Sequence, residues 1–552
     1  VTAAIFTSPP PTTTTRMVMR EKSWKLTLFF CLIWALTLLY GEMFAYWVPF
    51  LQTCSWPNLR HPSDSSLKNL RGHPNDFVKL AVIADPQLMD RTSHDLPPLA
   101  LEIAQFYTDL HMRRAFLSAI LPFKPDVILF LGDYFDGGPQ LSNKEWQESL
   151  NRFKHIFDLG RERMKDIPVY YIPGNHDIGY AGRLTRMPKV VKRYETYFGA
   201  RNHRFTAGKV DFIAIDAQTV DGDPQDTLTA STWNFVNNVS WDGQANPRVL
   251  LTHIPLYRPD WTFCGPFRSS EVINQRVARS RYDQGIVYQN YVTEGSSKRL
   301  LDLIKPVLVL SGHDHDQCTV THETQYGNGT VKEHTVGTVS WQQGNWYPSF
   351  MLLSVGNFAQ DQASSLDPVV LVHLCFLPTQ LFIYIWYIIL FVVTILALAL
   401  WPTHGLDIGH RFNHFITNIK NLVRESVTKE KTEDEDCEYE MMWDAEGGMH
   451  LVKKPRKVPS TSSKEMSSIE RGNAVMRAAR RQMLQEQEAS LKADSKGNHA
   501  PSSITKASLR SGKSLGRAVL GRCLQVLGMT FVIAVVNVPL YMMLLFKDWV
   551  AQ

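Results

Sequence analysis

The residues of this sequence whose types and spacing could do chemistry are Asp85, Gln87, Asp133, Asp136, Asn175, His176, His253, His313 and His315. They fall in five short pieces: Ala84-Asp85-Pro86-Gln87, Gly132-Asp133-Tyr134-Phe135-Asp136-Gly137-Gly138, Gly174-Asn175-His176-Asp177, Thr252-His253 and Gly312-His313-Asp314-His315. Carboxylate, amide oxygen and imidazole are the donors that hard and borderline divalent cations take. A lone Gly-Asp is usually a turn, and a lone His is more often structural than a ligand. A turn gains nothing, however, from a His placed between Asn and Asp. His-x-His at a strand end puts both imidazoles on one face, because strand side chains alternate with period two. Together and in this order, the five pieces read as a metal centre.

Each piece directly follows an apolar run, so the elements that position it can be read as well. Residues 77–84, 126–131, 169–172, 210–215, 248–251 and 307–310 are short, apolar and rich in β-branched residues, which predicts strands. Between them lie helical patterns such as Lys144–Leu159, where Trp146, Leu150, Phe153 and Phe157 share a face. Alternation of this kind predicts an α/β domain of helix-covered sheets, with the polar pieces at the strand ends where open α/β sheets place their sites. From about residue 317 to 354 strand-like runs follow one another without a helix, so the last part is expected to be antiparallel.

Three apolar stretches, 26–47, 374–401 and 519–546, are each long enough to cross a bilayer. No small-x-small pattern follows the first (Met43-Phe44-Ala45), so it reads as an uncleaved signal anchor. Arg16, Arg20, Lys22 and Lys25 precede the first stretch, and Lys506, Arg510, Lys513 and Arg517 precede the third. By the positive-inside rule residues 1–25 and 402–518 are expected in the cytosol, with 48–373 (core 77–355) and the short tail 547–552 in the lumen. The sequons at Asn238 and Asn328 both lie in the expected lumenal part, as candidate glycosylation sites. Residues 1–15 are Pro/Thr-rich, and 402–518 carry 20 basic and 16 acidic residues with little periodicity, which predicts a disordered N-terminus and a mostly disordered linker. Over all 552 residues the net charge is only +5, which gives no reason to expect nucleic-acid binding.

The order D-x-(H/Q), GD-x-x-D, GNHD, H, GHxH resembles the calcineurin-like metallophosphoesterase superfamily, a layered β-sandwich flanked by helices. Gly137-Gly138 and Gly174-Asn175-His176-Asp177 depart from the Ser/Thr protein phosphatase branch, which has an Arg after the second Asp and GNHE. The runs Ala84–Gln87, Gly132–Gly138, His253-Ile254-Pro255-Leu256-Tyr257-Arg258, Ser340-Trp341 and Pro348-Ser349-Phe350 are similar to the membrane-anchored group of fungi and animals that remodels glycosylphosphatidylinositol anchors. The resemblance implies two divalent metals, Mn²⁺ first, with Zn²⁺ or Fe as alternatives. Asp133 would bridge them; Asp85 and His315 would complete one site, and Asn175, His253 and His313 the other. Gln87 stands where many relatives have His, and is carried as a weak ligand or none. His176, oriented by Asp136, would protonate the leaving alkoxide during in-line hydrolysis, with no covalent intermediate.

The same resemblance implies an endoplasmic-reticulum phosphodiesterase that removes ethanolamine phosphate from a mannose of the anchor glycan. Its partners would be anchored proteins as substrate, the bilayer, and cargo-export receptors. The alternatives are a hydrolase of another lumenal substrate, such as a lipid pyrophosphate, and a non-enzymatic cargo-sorting protein with a degenerate site. The insertion at 256–300 carries Arg258 and Trp261 as candidate substrate contacts. Cys31, Cys375 and Cys523 fall in the expected spans and Cys437 in the linker, which leaves Cys54, Cys264 and Cys318 for one bridge and one thiol. Cys318 lies just beyond His315, and Cys264 in the loop after His253. A Cys264–Cys318 bridge is therefore expected, with pairings through Cys54 as the rivals.

Overall fold

The computed structural model describes residues 13–57, 77–184, 187–243, 245–269, 277–281, 285–327, 329–356, 369–400, 437–443, 449–455 and 505–550. One sheet is formed by β1 (Phe77–Ile83), β2 (Val127–Phe130), β3 (Val169–Tyr171), β12 (Ser349–Gly356) and β13 (Val370–Phe376), in the order β13-β12-β1-β2-β3. The other is formed by β4 (His203–Ala207), β5 (Val210–Ala214), β6 (Arg248–Leu251), β9 (Leu308–Ser311), β10 (Cys318–Glu323) and β11 (Thr330–Thr335), in the order β10-β11-β9-β6-β5-β4. A small hairpin, β7 (Val277–Arg279) with β8 (Ile286–Gln289), lies in the insertion after His253.

Period-two alternation explains the layering. Leu80, Val82, Leu129 and Leu353 of the first sheet meet Phe212, Val249, Leu251 and Leu310 of the second in one buried cluster between the sheets. The opposite face of the first sheet (Ala81, Ile83, Ile128, Phe130) packs on Met112, Phe116, Trp146 and Phe153 of the helices Pro98–Arg114 and Asn143–Ile156 and the helical turn Ala115–Ile120 between them. Ile213, Leu250 and Val309 of the second sheet pack on Val236, Leu300 and Ile304 from helices Thr227–Trp241 and Glu294–Ile304. The result is the helix-flanked sandwich expected from the sequence. Strands β1-β2-β3 and β5-β6-β9 run parallel within their sheets, so their C-terminal ends gather at one edge of each. The last part is antiparallel through β10–β11 and β12–β13, but β11 pairs with β9 in parallel.

Several boundaries move. Among the described residues three helices are long and apolar enough to cross a membrane, over Trp24–Thr53, Gln380–Leu400 and Val519–Val550. The first begins at Thr13, within the stretch expected to be disordered, and continues through the turns Tyr40–Thr53. Residues 374–376 belong to β13 and not to the second span. Val370–Phe376 is registered against β12 from Ser349 to Val355, and the helix starts only at Gln380, beyond Pro378. Cys375 is therefore no span residue; it is bonded to Cys54, which corrects the expectation of a leftover thiol at Cys54. Cys264 is bonded to Cys318. The third helix runs unbroken from Thr505 to Val550 and takes in most of the expected tail. Inside the expected linker, β14 (Cys437–Trp443) and β15 (Met449–Pro455) pair as a hairpin, while 401–436 and 456–504 lie outside the described residues.

The larger compact unit, residues 23–394 with 530–552, holds the sandwich together with parts of these helices. Within it Arg114, at the end of Pro98–Arg114, pairs with Glu42, reaches Asp548 at 3.2 Å and donates to the Leu544 carbonyl at 2.9 Å. Tyr387 donates to Glu42 at 2.8 Å, and Arg113 donates to the Asp548 carbonyl at 2.6 Å. Glu42, Arg113 and Arg114 are all buried, and a buried charge needs partners of this kind to persist.

Candidate metal centre

The strand ends deliver their polar residues to one point. Asp85 follows β1, Asp133 follows β2, Asn175 follows β3, His253 follows β6, and His313 and His315 follow β9. Ligand atoms of Asp85, Asp133 and His315 lie within 4.8 Å of one another, and so do those of Asp133, His253 and His313. These are two overlapping triads that share Asp133. Among the described residues nine non-glycine positions have left-handed backbone, and five of these are Asp85, Gln87, Asp133, His313 and His315 (φ between 36° and 70°). Clustered backbone of this type marks sites whose surroundings over-determine it.

The surroundings are visible. The Asp177 carboxylate accepts backbone N–H groups of Asp133 and Tyr134 at 2.8 Å and of Gly174 at 2.9 Å, stapling the second loop to the third. Asp133 in turn accepts the His176 N–H at 2.8 Å and the Gln87 amide at 3.1 Å. Asp85 accepts the His313 N–H at 3.0 Å on both oxygens, and its carbonyl takes the Thr338 hydroxyl at 2.6 Å. Gly132 (φ +93°) and Gly174 leave no space for a side chain: a Cβ at Gly132 would stand 2.6 Å from His253 Nδ1, and one at Gly174 would collide with Asp133. Gly174→Ala is expected to destabilise the protein by about 1–3 kcal/mol, the usual range for overpacking, and to lower its metal content. Thermal unfolding in detergent and elemental analysis would check both.

Hydrogen bonds outside the cluster leave one ring nitrogen of His253 and one of His313 facing inward. His253 Nδ1 donates to the Leu131 carbonyl at 2.7 Å, so Nε2 faces the Asn175 amide oxygen at 3.1 Å and Asp133 at 3.2 Å. His313 Nε2 donates to the Gln289 carbonyl at 3.0 Å, leaving Nδ1 for the cluster. His315 Nε2 and Gln87 Oε1 are buried without a hydrogen-bond partner. Convergent acceptors that lack donors are what a cation would satisfy.

The electrostatics agree. Burial pushes the Asp85 carboxyl up to about 8 against the pull of His253. Asp133 is equally buried, yet His253 and His176 hold it well below the usual carboxylate range. Burial opposes protonation of His253, but Asp133 and Asp85 bring it up to about 9; burial takes His313 down to about 3 and His315 to about 4. Burial thus keeps the His313 and His315 rings neutral, the form in which imidazole binds a cation. Residues of the set therefore fit divalent ions, with Asp133 central.

His176 stands apart from both triads. Its Nδ1 donates to the Asp136 carbonyl and lies 3.4 Å from the Asp136 carboxylate, and its side chain is 37% exposed to the cleft. Burial opposes its protonation, but Asp133 and Asp136 raise its pKa above the ordinary imidazole value. The cleft, about 280 Å³, is lined by Gln87, Asp133, Asn175, His176, His313 and His315, with Tyr180, Tyr288 and Asn290 on its rim.

The two candidate substrate contacts do not fit that role. Arg258 is 1% exposed; its guanidinium reaches Glu333 at 3.3 Å and the Thr335 hydroxyl at 2.9 Å, so its charge is used inside the protein. Trp261 is 64% exposed and does not line the cleft. Asn238 is exposed on helix Thr227–Trp241, whereas Asn328 lies outside the described residues.

Glu333, buried on β11, went unseen in the sequence because Lys332-Glu333-His334 reads as a solvated face. It accepts from Ser311 at 2.7 Å, the Leu256 N–H at 3.1 Å and His322 at 2.8 Å, tying β9, β10 and the loop after His253 together. Burial opposes its ionisation, but Arg258 and His322 hold its pKa down to about 2. This stability is present above the unfolded value of about 4.3 and is lost as pH falls from there toward 2. Glu333→Ala would leave the buried Arg258 charge only Asp314, 3.8 Å away and already taken by Arg268, an expected loss of about 3–5 kcal/mol that unfolding in detergent would register.

Comparison with known proteins gives this geometry its class. Residues 78–317 match the calcineurin-like phosphoesterase family. Over these residues the chain is similar to the calcineurin-like phosphoesterases, and its Asp and His groups there could bind metal. Its relatives include Cell division control protein 1 of Saccharomyces cerevisiae (30% identical over 286 residues, 50% of this chain and 55% of that protein) and Metallophosphoesterase 1 of Danio rerio (28%, covering 61% and 82%). The Drosophila melanogaster homolog of the latter is 26% identical, covering 55% of this chain and 77% of the fly protein. This chain thus spans about half the length of the yeast relative. Among solved structures, a purple acid phosphatase from yellow lupin matches at TM-score 0.33 and 10% identity, over 54% of this chain and 53% of that one.

Proposed function

We propose that this protein is a membrane-bound phosphodiesterase of the endoplasmic-reticulum lumen that removes ethanolamine phosphate from a mannose of glycosylphosphatidylinositol anchors, aiding export of the anchored proteins. The observation that carries the chemistry is the pair of triads sharing Asp133, with His176 beside them and outside both. The substrate rests on the resemblance of the strand-end motifs and on the three apolar helices.

Asp85, Asp133 and His315 would hold one divalent ion and Asp133, Asn175, His253 and His313 the other; Gln87 offers its unpartnered amide oxygen to the first. Bound there, the ions supply charge neutralisation and an acidified water, and Mn²⁺ suits the carboxylate, amide and imidazole donors. Asp133 is fixed by the His176 N–H and the Gln87 amide, so it needs no reorganisation on binding. His176, anchored through Nδ1, presents Nε2 to the cleft and gives its proton to the leaving sugar oxygen.

The experiment is mass spectrometry of anchor glycans from cells lacking the protein. Retained ethanolamine phosphate on one mannose is expected; an unchanged glycan pattern sinks the substrate and leaves the metal chemistry standing. With the sandwich in the lumen, Asn238 is expected to carry a glycan, and endoglycosidase should increase the protein's mobility.

A further inference from the structure

Next to the metal cleft is a second cavity, about 290 Å³, whose walls include Asp314, His315, Asp316, Asn345 and Trp346. It shares the wall residues Asp314 and His315 with the cleft, so the two cavities lie side by side. Asn345 is only 8% exposed, yet neither its amide oxygen nor its amide nitrogen has a hydrogen-bond partner. Burying both without partners is costly unless a ligand completes them.

The cavity is built and not a gap between loops. The Trp346 N–H donates to the Ser269 hydroxyl at 3.0 Å, which donates to Asp316 at 2.7 Å, while the Ser269 N–H donates to the other Asp316 oxygen at 3.1 Å. The Trp346 ring packs on Phe382 at 5.3 Å and is 48% exposed overall. Both acidic side chains of the wall are already engaged: Arg268 takes both oxygens of Asp314, at 2.8 and 3.1 Å, and Asp316 accepts both Ser269 donors with Arg268 nearby. A cationic ligand gains little here, and an apolar one would leave the Asn345 amide unpaired.

A side-by-side donor and acceptor, a flat aromatic wall and carboxylates already engaged by Arg268 and Ser269 together fit a neutral, polyhydroxylated ring. We propose that this cavity is the sugar subsite of the enzyme: a hexose lies against Trp346 with two neighbouring hydroxyls on the Asn345 amide, and its phosphate extends past Asp314 and His315 to the metal cluster. The proposal rests on the phosphodiesterase reading above and adds the residues that select its sugar.

The test uses the full-length protein in detergent with Mn²⁺ and measures binding by calorimetry. The probes are methyl α-mannoside 6-phosphate, propyl phosphate and ethanolamine phosphate. The sugar phosphate is expected to bind about tenfold or more tighter than propyl phosphate, as two added hydrogen bonds imply. Asn345→Ala and Trp346→Ala should each remove most of that preference and leave propyl phosphate binding and nitrophenyl phosphodiester turnover within about twofold, with Trp346→Phe keeping part of the preference. Equal binding of the sugar and propyl phosphates by the unaltered protein overturns the proposal, as does a preference that survives both variants. A preference for ethanolamine phosphate lost in Asn345→Ala overturns it in favour of an ammonium site. Because binding is read without turnover, failure to hydrolyse any diester would count against the phosphodiesterase reading alone.

Discussion

Asp133→Asn is expected to empty the centre of metal and to abolish hydrolysis. The residue is common to both triads, so one substitution weakens both sites together. The amide loses the negative charge that two cations require. It also fits poorly where it stands, because the Asp133 oxygens face the His176 N–H and the Gln87 amide N–H, both donors. An amide in that position must turn its own N–H₂ toward one of them. Metal catalysis is worth several kcal/mol of charge stabilisation, on the order of 10³-fold in rate at 1.4 kcal/mol per decade. Elemental analysis and turnover of a nitrophenyl phosphodiester would be measured together. Full metal content in Asp133→Asn would show that this carboxylate is not the bridge.

His176→Ala separates proton transfer from metal binding. Its imidazole touches Asp136 and not the ligand atoms of either triad, so the variant should keep its metal. Loss of a general acid costs ~10²–10⁴-fold. That penalty should be largest for a diester with an alkoxide leaving group and should shrink for nitrophenolate, which leaves without a proton. Metal loss comparable to Asp133→Asn, or equal slowing of both substrates, removes the general-acid assignment.

The central strands were legible because both their faces are covered, which writes them as continuous apolar runs: Val127–Phe130 and Val210–Ala214 are buried throughout. The order of the strand-end polar residues was legible for the same reason, since a run that stops at a Gly-Asp or Gly-His announces the edge of a sheet. β4 was not foreseen; His203–Ala207 is an edge strand of mixed burial with no continuous apolar signal. The end of β13, residues 374–376, reads as part of the second span because Val370–Phe376 and Gln380–Leu400 are both apolar, and composition alone does not separate a half-buried strand from a spanning helix. The Cys54–Cys375 bond was lost with it. Arg258 misled for a related reason. A charged residue beside a metal motif reads as a substrate contact, and only the fold supplies the buried Glu333 that claims it.

The buried ties of Arg114 to Glu42 and Asp548, with Tyr387 on Glu42, set the reach of the metal centre. They join the sandwich to the ends of the apolar helices through charges that cannot slide without losing their partners, and the Cys54–Cys375 bond fastens the chain entering the sandwich to the chain leaving it. Held in a bilayer, the hydrolytic cluster would hang at one constant height, like the jaw of a fixed gauge. A phosphodiester too near the headgroups, or too far out along a glycan, would never enter the jaw whatever its chemistry. On the proposed function, selection among the several phosphates of one anchored molecule is made by distance before any side chain reads a sugar.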